Sequence, residues 1–365
     1  MHIPDGYLSP STCAALYGAA APFWYIAMRR VKSSLTTRLV PLLSVVAALS
    51  FVIMMFNLPL PGGTTGHAVG VAIATIILGP WASILAISIA LLIQALFFGD
   101  GGITTLGANC FNMAIVGSLV AYAVYRIAAG GATLTSTRRV VAAAMAGYTA
   151  INASALCTAV EFGIQPIFFK DASGAPLYAP YGLGVAVPAM MLGHLTFAGL
   201  AEMVLSAGVV AYFQRTNPAM LRLTAPGASV DGEGLGTSAL RNAWANVRGL
   251  CMALALLMVL TPLGILATGT AWGEWSAREL SSPQARQNIA AASGHIAPPV
   301  EAPRGLERLN SVWTAPFPQY APSFVHRPAV GYALSALFGA GIIMLVFLIA
   351  GVLASRRRAD PVAGD

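Results

Sequence analysis

The chain has 365 residues, of which 57% are apolar and only 9% charged, with a mean hydropathy of +0.74 and a formal net charge of +7. Soluble domains carry roughly 25% charged residues, so these values exclude a soluble fold and predict a multi-pass protein of the cell (inner, cytoplasmic) membrane. The positive charge does not indicate nucleic-acid binding, because Lys and Arg sit in the gaps between apolar runs and form no single patch.

Runs of roughly 18 to 25 apolar residues mark membrane-crossing helices. They predict an all-α integral membrane protein with about nine spans: Thr12–Met28, Leu39–Phe56, His67–Leu78, Trp81–Phe98, Asn109–Tyr125, Val140–Phe162, Gly184–Tyr212, Gly249–Thr268 and Val330–Ala354. The third is short and closed by Gly79-Pro80, which reads as a partial helix supported by its neighbours. The gaps on one side hold Arg29, Arg30, Lys32 and Arg38, then Arg126, Arg138 and Arg139, then Arg215, Arg222, Arg241 and Arg248, and finally Arg356, Arg357 and Arg358. The other side has Lys170 and, within one long loop whose charge weighs little, Arg278, Arg286, Arg304, Arg308 and Arg327. Cytoplasmic loops carry the excess of Lys and Arg, so the N-terminus is expected outside and the C-terminus in the cytoplasm. Residues 1–6, the segment before His67, and the loops Gly99–Ala108 and Gln165–Gly182 then open on the outer face.

Three parts are expected: a helical bundle over 1–222, a Gly/Ser-rich cytoplasmic linker over 223–248, and a two-span module over 249–365 with a long, proline-rich external loop. Asp5 and the lack of a basic leader argue against a cleaved signal peptide. Initiator methionine is normally trimmed only before small residues, so Met1 is expected to persist ahead of His2.

That start has chemical consequences. The amine of Met1, the backbone nitrogen of His2 and its imidazole Nδ1 can close a five- and a six-membered chelate ring around one divalent cation. Pro4-Asp5-Gly6 is a turn-forming run that can fold this end back onto the bundle. His67, closing Gly62-Gly63-Thr64-Thr65-Gly66-His67 on the same face, is the candidate fourth donor; otherwise it is a capped interfacial residue. Four nitrogens near one plane suit Ni(II) or Cu(II). Asp5, Thr65 and Asn109 are candidates for the hydrogen-bonding shell around such a site, as is Asn112, although the two asparagines can equally join helices. Glu161, His194 and Glu202 lie at membrane depth, where ionisable groups are functional candidates by default; interhelical hydrogen bonding is the favoured reading. His295 and His326 are expected in solvent. Cys13, Cys110, Cys157 and Cys251 fall singly and read as packing residues. Neither lysine sits in a phosphate-loop frame and no hydrolase motif occurs, so the chain is expected to be neither an ATPase nor another enzyme. A stand-alone secondary transporter or channel for divalent transition metals is the alternative to a metal-capture subunit.

The residues at these positions resemble a known family. Met-His-Ile-Pro-Asp-Gly at the start, Gly-Gly-Thr-Thr-Gly-His at 62–67 and the run Phe98-Gly99-Asp100-Gly101-Gly102-Ile103-Thr104-Thr105-Leu106-Gly107-Ala108-Asn109 resemble CbiM/NikM, the substrate-binding components of energy-coupling factor transporters for cobalt and nickel. The likeness spans roughly 1–222. The tail resembles the small partner subunit CbiN/NikN, although the family's usual Pro-Asp-Gly-Leu-Glu reads Pro303-Arg304-Gly305-Leu306-Glu307 here. The resemblance implies uptake of Ni²⁺ or Co²⁺ as cargo, with no cofactor, held by Met1, His2 and His67. It also implies a transmembrane coupling (T) subunit and cytoplasmic ATPase subunits as partners, which accounts for the missing phosphate loop. Planar nitrogen coordination favours nickel over cobalt.

Overall fold

The structure, a computed structural model, describes residues 1–34, 39–225, 228 and 243–359. Most of the expected linker 223–248 lies outside them, as do Arg38 and Arg241. The first helix begins where the sequence supplies a cap: Ser9 accepts the Thr12 N–H through its Oγ and Pro10 opens the helix, so α1 runs Pro10–Ser34. After α2 (Leu39–Met54), the chain forms a hairpin that the sequence reading passed over, with β1 (Leu58–Leu60) antiparallel to β2 (Thr64–Gly66) and Leu58 opposite Gly66. Gly62 and Gly63 make its turn at φ 81° and 77°, values that favour glycine. Strands of three residues are too short to show an alternating pattern.

The next helix, α3 (Val71–Leu78), has eight residues, all buried, and Gly79-Pro80 ends it. At about 1.5 Å per residue it cannot cross a hydrocarbon core of roughly 30 Å. It is a buried partial helix. Four rods follow. The first is α4 (Pro80–Ile93), extended by a π-helical stretch Gln94–Phe98. The second joins α5 (Leu106–Asn109), a π stretch Cys110–Val116 and α6 (Gly117–Ala129). The third is α7 (Thr137–Phe168). The fourth joins α8 (Leu183–Gly193), a π turn His194–Ala198 and α9 (Gly199–Thr216). After the undescribed residues come α10 (Ala243–Leu260), the short helices α11 (Ala277–Ser281), α12 (Pro283–Ala292) and α13 (Arg304–Leu309), and finally α14 (Pro328–Ala359).

Among the described residues, six helical rods are long and apolar enough to cross a membrane: Pro80–Phe98, Leu106–Ala129, Thr137–Phe168, Leu183–Thr216, Val247–Leu266 and Pro328–Leu353. The three further expected spans correspond to α1, α2 and α3. Of these, α1 has 25 residues but ends in Arg29, Arg30 and Lys32, and the apolar part of α2, Val40–Met54, is shorter than the six rods. All four cysteines are free.

Polar side chains inside the bundle join helices. Glu202 on α9 accepts the Val69 and Gly70 N–H groups at 2.7 and 2.9 Å, capping the positive end of α3. Asn112 donates to Glu161 on α7 at 2.8 Å. The helices approach closely where a side chain is missing: a Cβ at Gly107 would lie 2.7 Å from Cγ of Tyr17 on α1. Gly107→Ala is therefore expected to cost about 1–3 kcal/mol by overpacking, read as a lower Tm of the detergent-solubilised chain.

Candidate metal centre

The first residues are drawn into the bundle by backbone chemistry. Asn109 clamps Ile3 from both sides, its Oδ1 accepting the Ile3 N–H at 2.8 Å and its Nδ2 donating to the Ile3 carbonyl at 3.1 Å. The same carbonyl accepts the Gly102 N–H at 2.9 Å and the Thr105 hydroxyl at 2.5 Å. Asp5 accepts the Ile103 and Thr104 N–H groups at 3.2 and 2.7 Å, and the Thr104 hydroxyl. Gly102 has no side chain because one would strike Asp5, a Cβ there lying 2.4 Å from its nitrogen. Gly6 turns at φ 88°, and from there Ser9 N–H reaches Oε1 of Gln165 at 3.0 Å. Each buried donor or acceptor left unpaired would cost about 1–3 kcal/mol, so residues 3–5 have one way to lie on the loop 99–105.

This pinning buries Met1 and His2 beside His67, which the hairpin delivers from the other side. His2 Nδ1 is 3.2 Å from His67 Nε2, with ring centroids 4.9 Å apart. The His67 Nδ1 lies 3.0 Å from the Ala68 carbonyl. A carbonyl only accepts, so Nδ1 carries the proton and Nε2 presents a bare lone pair to His2. The Asp100 carboxylate also faces His2 Nδ1, with Oδ1 at 3.1 Å. Burial pushes the His2 pKa down to about 4 and, together with the neighbouring charges of His2 and the terminal amine, that of His67 down to about 3. Both rings are neutral at pH 7, and the His2–Asp100 contact is not an ion pair there. With its proton on Nδ1, the neutral His2 ring donates between the His67 Nε2 lone pair and the Asp100 oxygen; moving that proton to Nε2 turns Nδ1 into a second imidazole lone pair beside the first. His2 Nε2 and the Oε1 of Gln94, which lies against the ring, are both buried without a partner. A small adjustment would pair them and leave Nδ1 free as a ligand.

The Met1 amine is 3.1 Å from Oε1 of Glu274. That residue belongs to the segment between α10 and α14, and other groups from the same segment close over the site. The Tyr320 hydroxyl donates to Asp100 Oδ2 at 2.5 Å, and Gln94 Nε2 donates to the Tyr320 oxygen at 2.9 Å. Tyr7 donates to the Trp275 carbonyl at 2.6 Å. Gly6 packs so tightly on Leu306 that a Cβ would lie 2.7 Å from its Cα, and Gly305 N–H donates to the Leu177 carbonyl at 2.7 Å. Arg304, the departure from the tail's usual motif, is exposed, so the packing there does not depend on it.

The structure thus brings together Met1, His2 and His67 and surrounds them with Asp5 and Asn109. Thr65 is nearby, but its hydroxyl points to the Gly269 carbonyl at 3.4 Å and the Ala68 carbonyl orients the His67 ring instead. Among the described residues no three His, Cys, Asp or Glu side chains form a ligand cluster; the donor set depends on main-chain and terminal nitrogen. Asp100, Gln94, Glu274 and Tyr320 were not singled out from sequence. Asp100 and Gln94 had a signal, being polar at the C-terminal end of the fourth expected span, whereas Glu274 and Tyr320 sit in a loop with no periodicity. Glu161 and Glu202 bond other helices, His194 donates from Nδ1 to the Met190 carbonyl at 2.8 Å, and His295 and His326 are exposed.

Six apolar rods, with the terminal amine and two imidazoles buried together, define a helical membrane protein, and its relatives place it among transport proteins. The chain belongs to the CbiM family: residues 2–220 match the family described as the cobalt uptake substrate-specific transmembrane region, and residues 246–356 match the PDGLE domain. It is 54% identical over 360 residues to the fused nickel transport protein NikMN of Rhodobacter capsulatus, covering 98% of this chain and all of that one. It is 41% identical over 355 residues to the probable fused nickel transport protein LarMN of Lactiplantibacillus plantarum, covering 96% and 97% of the two chains. A crystal structure described as a transition metal transporter superposes with a TM-score of 0.56 at 50% identity, covering 59% of this chain and 93% of that one.

Asn109→Ala removes the acceptor of the buried Ile3 N–H, an expected cost of about 1–3 kcal/mol. Faster hydrogen exchange at the amides of His2 and Ile3 is the expected readout.

Proposed function

We propose that this chain is the substrate-capture subunit of an ATP-driven importer of Ni²⁺ or Co²⁺. In this reading its N-terminus and the site face outside, its C-terminus lies in the cytoplasm, and α1–α3 complete about nine membrane-embedded helices. The observation that carries it is the 3.2 Å approach of His2 Nδ1 and His67 Nε2 beside the buried Met1 amine. The Met1 amine, the amide nitrogen and Nδ1 of His2, and Nε2 of His67 would hold the ion. Asn109, Asp5 and the Ala68 carbonyl hold those donors in place. Nitrogen donors of this kind suit nickel, and both full-length relatives are named as nickel transport proteins. In this reading ATP hydrolysis belongs to cytoplasmic partner subunits acting through a transmembrane coupling subunit, in keeping with the lack of a phosphate-loop motif in the sequence.

Isothermal titration with Ni²⁺ tests the terminal chelate. Extending the chain by one residue before Met1 converts the amine into an amide. Affinity is expected to fall more than about 100-fold, beyond the 10- to 100-fold range typical of losses around a metal's ligands. Unchanged affinity would rule the chelate out.

The pH dependence follows from the same donors. His2 and His67, with pKa values near 4 and 3, are already neutral ligands above about pH 5 and compete little with the metal there. The amine and amide must lose protons to bind, so Ni²⁺ affinity is expected to fall as pH drops from 8 to 6. The slope should be about one decade per pH unit for each proton released, read from titrations at stepped pH.

A further inference from the structure

A narrow cleft runs down to Met1 between the β1–β2 hairpin, the α8–α9 rod and the external segment, lined by Met1, Thr64, Thr65, Met190, His194 and Trp272. The cleft has room for about one water molecule. The hairpin can approach the α8–α9 rod because Leu60 packs over Gly193, where a Cβ would lie 2.7 Å from Leu60 Cδ1. His194 follows Gly193 at the start of the π turn, a helix irregularity often found at functional sites. Its ring is 97% buried, its relative exposure being 3%.

The hydrogen bonding of His194 sets its chemistry. Nδ1 lies 2.8 Å from the Met190 carbonyl, so that nitrogen carries the proton and Nε2 holds a lone pair. Nε2 makes no hydrogen bond among the described residues, and it is not sealed off as His2 Nε2 is. A neutral imidazole with its tautomer fixed by a backbone carbonyl is the usual form of a metal-binding histidine. This one borders a cleft that Met1 also lines.

We propose that His194 is a transient ligand on the way into the site. A divalent transition ion in the cleft exchanges a water for Nε2 of His194. It then passes to Met1, His2 and His67, leaving His194 free again. This inference rests on the metal-capture reading. It assigns to a residue outside the four-nitrogen set control over how fast the ion arrives and leaves.

A relay of this kind alters rates in both directions and leaves the final equilibrium unchanged. The test is stopped-flow Ni²⁺ association and dissociation on the purified full chain, with equilibrium titration alongside. His194→Ala is expected to slow both rates about tenfold and to leave the equilibrium affinity within about twofold. His194→Gln keeps a donor for the Met190 carbonyl without the imidazole nitrogen, and it is expected to be equally slow. Wild-type rates in either variant would overturn the proposal, the glutamine result by showing that the histidine serves only the helix. A loss of equilibrium affinity in both variants would overturn it too, placing His194 within the site or its support. A wild-type chain that binds no Ni²⁺ would instead defeat the metal-capture reading on which it stands.

Discussion

The two-sided clamp of Asn109 on the Ile3 backbone is the constraint on which the rest depends. A chain terminus is ordinarily the most mobile part of a protein, because ordering it costs about 1–2 kcal/mol of backbone entropy per residue and nothing holds it from one side. Here the loop 99–105 offers a complementary row of donors and acceptors, and Ile3 and Asp5 use them. Asn109 can meet both Ile3 groups because an amide carries a donor and an acceptor side by side. Aspartate, which only accepts when ionised, could satisfy one of them alone. With residues 3 to 5 held, the positions of Met1 and His2 follow.

The second constraint is electrostatic. Two neutral imidazoles and a carboxylate share the ring proton of His2 between them, and other contacts secure each group. The Ala68 carbonyl sets the His67 tautomer, Glu202 anchors the two backbone amides just beyond Ala68, and Tyr320 with Gln94 engages the far oxygen of Asp100. The network includes no opposing cation among the described side chains at the point of crowding. The cation beside the rings is the terminal amine, whose charge the tail segment pairs with Glu274.

Much of this was legible in the residues. Composition pointed to the mostly helical membrane class, and the topology argument put His67 on the same face as His2, where the two rings do meet. Asp5 and Asn109 stood out as polar residues at a loop mouth, although their partner, the Ile3 backbone, did not. The hairpin escaped notice because three-residue strands carry no period, and only the paired glycines at 62 and 63 hinted at it. The length of α3 was signalled by Gly79-Pro80. Glu274 and Tyr320 were out of reach: their roles come from long-range contacts, 273 residues from Met1 to Glu274 and 220 from Asp100 to Tyr320, and no local pattern encodes such a pairing. Glu202 was noticed for being charged at depth, but its use as a helix cap needed the position of α3.

Among the described residues, the N-terminal bundle and the tail segment meet through hydrogen bonds, ring packing, the packing of α14 on α2 and the Met1–Glu274 pair, with no disulfide between them. Cutting the polypeptide within residues 226–242 would leave these contacts available to two separate polypeptides, since none of their partners lies there. Joining them in one polypeptide raises the local concentration of each half near the other. It also enforces a one-to-one ratio, so the covalent connection governs stoichiometry and synthesis while the noncovalent contacts govern shape.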